Sequence, residues 1–219
     1  MEVGRVYVFG DEGGDLAFRR KVGVSRYFII GTATAGDCSL GANLLELRRE
    51  LAWRGTQLEM FHASSDKQRV RDRVFDLIAG SNIRVDATIL EKVKTQDHLR
   101  ANPLQFYKEA WFLHFKYVAP RVCSPLDDLF VVASSLQIAS KKTAVKHAVA
   151  DVVSQVSPTA VFHTAFFSAV SDPCLQIADY VTWAVQRKWE SNDSRSYDLI
   201  RHLVRSSFEP FAVGKTIYY

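Results

Sequence analysis

The sequence predicts an α/β domain built on a mixed five-stranded sheet with helices on its faces. Strand-like runs crowd the first part of the chain, and later ones alternate with segments of helical period. One of the later runs, Leu129-Phe130-Val131-Val132-Ala133, is apolar throughout, as a strand buried on both faces is.

The elements follow in order. Arg5-Val6-Tyr7-Val8-Phe9 is a β-branched and aromatic run stopped by Gly10, and Arg26 to Thr34 is a second one, so the two form a hairpin around a long loop. From Leu40 to Trp53, apolar residues at Leu44, Leu45, Leu47, Leu51 and Ala52 recur at helical spacing. Ser64-Ser65-Asp66 can cap a helix running to Ile78, with Gly80 where a helix ends. Ile83 to Leu90 alternates as a half-buried strand does, and Pro103 to Val118 is helical, closed by Pro120. After the central strand come a helix from Ser140 to Val153, a fifth strand from Thr159 to Phe167, and helices over Pro173–Glu190 and Tyr197–Arg205.

The 219 residues show no repeat, low-complexity tract or Gly/Ser-rich linker, so a single domain over 1–219 is expected. Apolar residues make up 47% and charged residues 24%, a balance that disfavours disorder. No apolar run reaches the ~18 residues of a membrane helix, and Met1-Glu2-Val3-Gly4-Arg5 does not open a secretory signal; a cytoplasmic protein without membrane contact is expected. Cys38, Cys123 and Cys174 are scattered, which argues for reduced thiols and against a disulfide frame or structural zinc. Lys plus Arg exceed Asp plus Glu by 28 to 24, and the pI of 9.0 is compatible with a phosphate-bearing partner.

Two acidic stretches carry the chemistry. Asp11-Glu12-Gly13-Gly14-Asp15 follows the first strand, where carboxylates are held rigidly and the glycines allow close approach. Magnesium prefers a few carboxylate oxygens completed by water and phosphate, so a strand-end Asp suits it. The same residues suit a plain hairpin turn. Phosphate-loop readings fail: Gly10, Gly13 and Gly14 do not fit G-x-G-x-x-G, and Glu209 stands where a loop ending in Gly214-Lys215-Thr216 needs its first glycine. In the second stretch, Asp172 and Pro173 start a helix as N-cap and first residue. At 100° per residue, Asp172, Gln176, Asp179, Trp183 and Glu190 share one face, opposite Leu175, Ala178, Val181, Val185 and Trp189. Asp172 is equally read as a simple cap, and Asp179 as part of a solvated face.

The acidic turn after the first strand, together with Leu175-Gln176-Ile177-Ala178-Asp179-Tyr180 in a late helix, resembles domain-of-unknown-function family 3800. Gly13 stands where that family usually has serine. Phe61-His62-Ala63 before a helix and Glu91-Lys92 closing the third strand add to the likeness. The resemblance implies an RNase H-like fold and a nuclease dependent on Mg2+ or Mn2+, often tied to mobile elements or antiviral defence. It makes Asp11 and Asp179 neighbours at one edge of the sheet, with Glu12 and Asp172 close by. It also exposes a departure: Ser134-Ser135-Leu136 follows the fourth strand, where many RNase H-like nucleases carry an acid.

Other residues extend this picture. Lys141, Lys142 and Lys146 stand in or near the first turns of a helix, where they oppose its dipole unless phosphates or nearby acids pair with them. His62 is a candidate general base or a packed capping histidine. Trp183 shares the face of Asp179 and can stack on a base. The expected activity is hydrolysis of nucleic acid, RNA favoured over DNA by fold analogy, with Asp11, Asp179, Glu12, Asp172 and His62 as catalytic residues and Asp11, Asp179 and Asp172 as metal ligands. Lys141, Lys142, Lys146 and Trp183 would hold the strand, alone, as a homodimer or with a partner protein. The rival is a catalytically silent binding module of the same fold. A third reading is hydrolysis of a small nucleotide.

Overall fold

The computed structural model describes residues 4–19, 21–122, 124, 127–134, 139–156, 161–210 and 212. Cys123, Ser135, Leu136, the start of the fifth strand at Thr159 and the Gly214-Lys215-Thr216 segment lie outside them.

The first two strands, β1 (Arg5–Gly13) and β2 (Tyr27–Ala35), form the expected antiparallel hairpin. Two helices follow, α1 (Ser39–Trp53) and α2 (Gln68–Ala79), then β3 (Arg84–Glu91). A short α3 (Asp97–Arg100) leads into α4 (Pro103–Val122). The chain continues through β4 (Asp128–Ser134), α5 (Ala139–Val156), β5 (Val161–Phe167), α6 (Pro173–Ser191), α7 (Arg195–Ile200) and β6 (Val204–Phe208).

The strands lie in the order β5-β4-β1-β2-β3-β6. Only β2 runs against the others: it is antiparallel to β1 and β3, whereas the β1/β4, β4/β5 and β3/β6 pairs are parallel. The sheet is thus mixed and flanked by helices, with six strands where five were expected.

Side-chain alternation along β1 builds both cores. Val8 faces α4 and α5, joined by Ile30 and Val131 and covered by Trp111, Phe115, Val145 and Val149. Phe9 faces the other way and packs with Val132 under Leu175 and Ala178 of α6. On that second side α1, α2 and α6 bury Leu44, Val74, Phe75 and Val181 together.

Four boundaries differ from the sequence reading. β1 does not stop at Gly10 but continues through Asp11 and Glu12, paired with Gly31 and Ile30. Gly10 is needed there for closeness: a Cβ would meet Trp111 Cη2 at 2.6 Å. α4 runs past Pro120 to Val122, because a proline in the last turn removes a single backbone bond. Ser64-Ser65-Asp66 does not cap α2; Lys67 precedes the helix, and Asp66 accepts from the His62 N–H instead. The segment Tyr197–Arg205 is not one helix. It breaks after Ile200, and Val204–Phe208 becomes a sixth strand, fastened to β3 by Ser206 Oγ donating to the buried Asp86 at 2.6 Å. Among the described residues, no helix is long and apolar enough to cross a membrane.

One buried polar bridge ties α4 to the sheet. His114 is fully buried, with Nε2 3.0 Å from Thr32 Oγ1 on β2 and Nδ1 3.0 Å from Thr88 Oγ1 on β3. Burial pushes its pKa down to about 4, so the imidazole is neutral in the folded protein. Unfolding restores a pKa near 6.5, and the unfolded chain then takes up a proton the folded chain refuses. Stability from this group is complete above pH 6.5 and declines as the pH falls towards 4. Urea unfolding at pH 7 and pH 5 is expected to show a loss of about 2 kcal/mol from this residue. His114→Gln, though less stable at pH 7, should lack that share of the pH dependence; an equal slope in both proteins would refute it.

Candidate active site

Because Asp11 and Glu12 are consecutive residues of one strand, their side chains leave opposite faces of the sheet. Asp11 shares the side of Phe9, beneath α6, and Asp179 of α6 is close enough to repel it. Burial pushes the Asp11 carboxyl well above its usual range, and the charges of Glu12 and Asp179 push it further. Among the described residues no lysine or arginine forms an ion pair with Asp11.

Glu12 enters the α4/α5 side. Tyr107 O–H donates to its Oε2 at 3.3 Å, and Lys141 is near enough to attract it. Burial still dominates and raises Glu12 to about 7. The Lys141 ammonium also lies over the Tyr107 ring, 5.2 Å from its centroid.

Helix α6 reaches Asp11 because the sheet beneath it is floored with glycine. A Cβ on Gly31, the partner of Asp11 across the hairpin, would sit 2.1 Å from Thr182 Oγ1 and 2.9 Å from Thr182 Cβ. A Cβ on Gly13 would come within 3.3 Å of both Thr182 and Gln186. The far end of α6 is fixed to the hairpin by Glu190, which accepts from the backbone N–H groups of Arg26 (2.6 Å) and Tyr27 (3.1 Å).

The loop before α2 is laid along α6 by successive backbone donors. Phe61 N–H donates to Gln176 Oε1 at 3.1 Å, His62 N–H to Asp66 Oδ2 at 2.9 Å and Ala63 N–H to Asp179 Oδ2 at 2.7 Å. Asp66 is buried and also accepts from Tyr180 O–H at 2.5 Å. This places His62 against Asp179, with Nδ1 3.1 Å from both carboxylate oxygens. On its other side Nε2 lies 3.2 Å from Ser64 Oγ. Burial raises the Asp179 carboxyl, and the Ala63 N–H and His62 offset only part of that rise. With Asp179 ionised, the proton belongs on Nδ1, which leaves Nε2 as acceptor.

The structure thus joins Asp11, Asp179 and His62, with Glu12 on the far face. It does not bring Asp172 to them. Asp172 caps α6, accepting from Cys174 N–H at 2.8 Å, and lies seven residues or about 10 Å along the helix from Asp179. Its neighbours are the free thiols of Cys38 and Cys174. Trp183 packs against Phe75 with Arg71 and Arg187 over its ring, which occupies the faces a base would use. Lys141, on the stripe of Ala144, Val145 and Ala148, is the lysine near enough to attract Glu12; Lys142 is also half-buried, and Lys146 is exposed. Asp15 is a loop organiser: it accepts from Ser25 N–H and Ala17 N–H, both at 2.7 Å, and from Lys92 Nζ at 3.0 Å. Sequence reasoning missed Tyr107, Ser64, Asp66 and Gln176; all four act through partners remote in sequence or through a loop whose path is set by α6.

Oxygen donors on Asp11 and Asp179, half-buried and near enough for the charge of Asp179 to raise Asp11, suit a hard divalent cation that keeps water and phosphate in its remaining positions. No cluster of three or more His, Cys, Asp or Glu side chains arranged for a metal occurs among the described residues, so the protein offers a carboxylate pair.

No protein-family model and no curated protein matches the sequence. Among solved structures, the chain is similar to one in the PCNA:RNase HII complex from Archaeoglobus fulgidus, with a TM-score of 0.48, 10% identity, and coverage of 98% of this chain and 97% of that one.

The glycine floor can be tested directly. Gly31→Ala should destabilise the protein by about 1–3 kcal/mol in urea unfolding, since both Oγ1 and Cβ of Thr182 obstruct the new methyl group. Gly36→Ala, with open space around it, should stay within about 0.5 kcal/mol. Equal effects at the two positions would contradict the close seat of α6.

Proposed function

We propose that the protein is a metal-dependent nuclease that hydrolyses phosphodiester bonds of nucleic acid, of the kind found in domain-of-unknown-function family 3800. The observation that carries this reading is the meeting of Asp11 and Asp179, two half-buried carboxylates close enough for the charge of Asp179 to raise Asp11, with no basic side chain ion-paired to Asp11 among the described residues. Folding brings like charges together at a cost, and a functional site is where such a cost is retained. Mg2+ or Mn2+ held by Asp11 and Asp179 would lower the pKa of a bound water and stabilise charge on the phosphoryl oxygens. RNA is the favoured substrate over DNA, by analogy of fold alone.

The chain's own groups divide the remaining work. Asp179 holds His62 through Nδ1, so that Nε2 is presented on the half-exposed side of the loop to accept a proton from attacking water. Ser64 Oγ, near the same nitrogen, keeps the ring in that orientation. Glu12 and Tyr107 fix Lys141 at the end of α5, where its charge can meet a phosphate arriving at the sheet edge.

A silent binding module remains the second reading, favoured by two observations. Ser134 closes β4 without a carboxylate, and the oxygens of Asp179 already receive His62 and Ala63. Cleavage assays separate the two. With labelled single-stranded RNA, single-stranded DNA and an RNA–DNA hybrid in Mg2+ or Mn2+, the nuclease reading predicts cleavage abolished by EDTA. Asp11→Asn and Asp179→Asn should each lower the rate by about 10^3-fold or more, and His62→Ala by about 10^2-fold. Strand binding without cleavage, unaffected by EDTA, would establish the binding module instead.

A further inference from the structure

A cleft outside the acidic pair opens between the β1–β2 loop and the β3–α3 connection, with a volume of about 640 Å³. Arg19, Arg26, Lys92 and Arg100 line it with a single carboxylate, Glu91. The charges are unevenly used. Arg26 donates to Glu91 through Nε (2.9 Å) and Nη2 (2.6 Å). Lys92 is buried and spent on the loop, donating to Asp15 O, Asp15 Oδ1 and Ala17 O at 2.8–3.0 Å. Arg19 is exposed and makes no ion pair among the described residues. Arg100 donates from Nη2 to Val93 O at 2.6 Å and has Nη1 3.6 Å from the exposed Asp97 carboxylate, while its Nε is buried and meets no acceptor among the described residues. The floor between these cations is apolar, formed by Phe18, Val24 and Val93.

The cleft is coupled to the acidic site by covalent continuity and by two anchors. Its loop begins immediately after β1, three residues past Asp11, and Lys92 clamps that loop to the end of β3. Glu190 of α6, the helix that carries Asp179, holds its Arg26 edge.

We propose that the cleft is a phosphodiester-binding subsite, in which Arg19 and Arg100 contact backbone phosphates of a nucleic-acid strand and the apolar floor receives sugar or base. The inference deepens the nuclease reading and rests on it for the identity of the strand. Arginine suits the task because its fork of donors matches phosphate oxygens, and the Arg100 Nε would gain the acceptor it lacks.

The test is binding without cleavage. Fluorescein-labelled 15-nucleotide RNA and DNA strands are titrated with the whole protein in EDTA, by anisotropy, at several salt concentrations. Arg19→Gln and Arg100→Gln are each expected to raise Kd about fivefold near 0.1 M salt and to reduce the salt slope by about 0.7. Arg49→Gln, which removes the same charge from the exposed face of α1, should change Kd less than twofold. Should Arg100→Gln melt early, Arg19→Glu decides at an exposed position and must weaken binding beyond Arg19→Gln. Unlabelled nucleoside triphosphate should displace the strand only at concentrations at least tenfold above those of unlabelled strand. Cleft variants that match Arg49→Gln, a wild-type protein that binds neither strand, or triphosphate competing as well as strand would each overturn the proposal. Because EDTA removes cleavage from the readout, these results are independent of whether Asp11 and Asp179 catalyse.

Discussion

The close seat of α6 on the β1–β2 hairpin is the constraint on which the rest depends. Thr182 presses on Gly31, and Gln186 and Thr182 press on Gly13, so the helix axis lies nearer the sheet than any larger residue at those positions would permit. That nearness makes Asp179 a neighbour of Asp11, lets the 61–63 loop hang its N–H groups on Gln176 and Asp179, and carries Glu190 to the start of β2. The glycines act through the space they leave, and only secondarily through backbone freedom.

Electrostatics then gives the two faces of the sheet different characters. On the α6 face, Asp11 lies close enough to Asp179 to be raised by its charge, while Asp179 receives the His62 ring and the Ala63 N–H. On the α4/α5 face, Glu12 is held by Tyr107 and drawn to Lys141, a smaller and partly compensated cluster. Farther inside, His114 is neutral and bridges two threonines, and Asp86 takes Arg84 through two bonds and Ser206 through a third.

Much of this was legible in the sequence where a single element carries its own signal. The apolar run of β4, the alternation of β3 and the Asp-Pro start of α6 each reflect local physics, and each element formed. What was illegible depends on pairings between distant segments. The continuation of β1 through Asp11 and Glu12 is fixed by its ladder to β2, and only that ladder reveals that the two acids part to opposite faces. The β6 strand has no alternating apolar pattern; a parallel ladder and the Ser206–Asp86 bond hold it, so its helical reading was natural and mistaken. His62 and Asp179 are 117 residues apart, and their contact follows from where α6 lies. Asp172 shares a helix face with Asp179, yet its carboxylate is consumed by the cap, a role that Asp before Pro already announces.

The central claim is that Asp11 and Asp179, and not Asp172, form the carboxylate pair for a divalent cation. Uptake of Mn2+ by the purified protein, followed through loss of the free-ion signal in electron paramagnetic resonance, tests it without reference to any substrate. The account predicts that Asp11→Asn and Asp179→Asn each weaken Mn2+ binding at least tenfold, whereas Asp172→Asn leaves it unchanged. Mn2+ bound equally well by Asp179→Asn, or lost from Asp172→Asn in a folded protein, would contradict it.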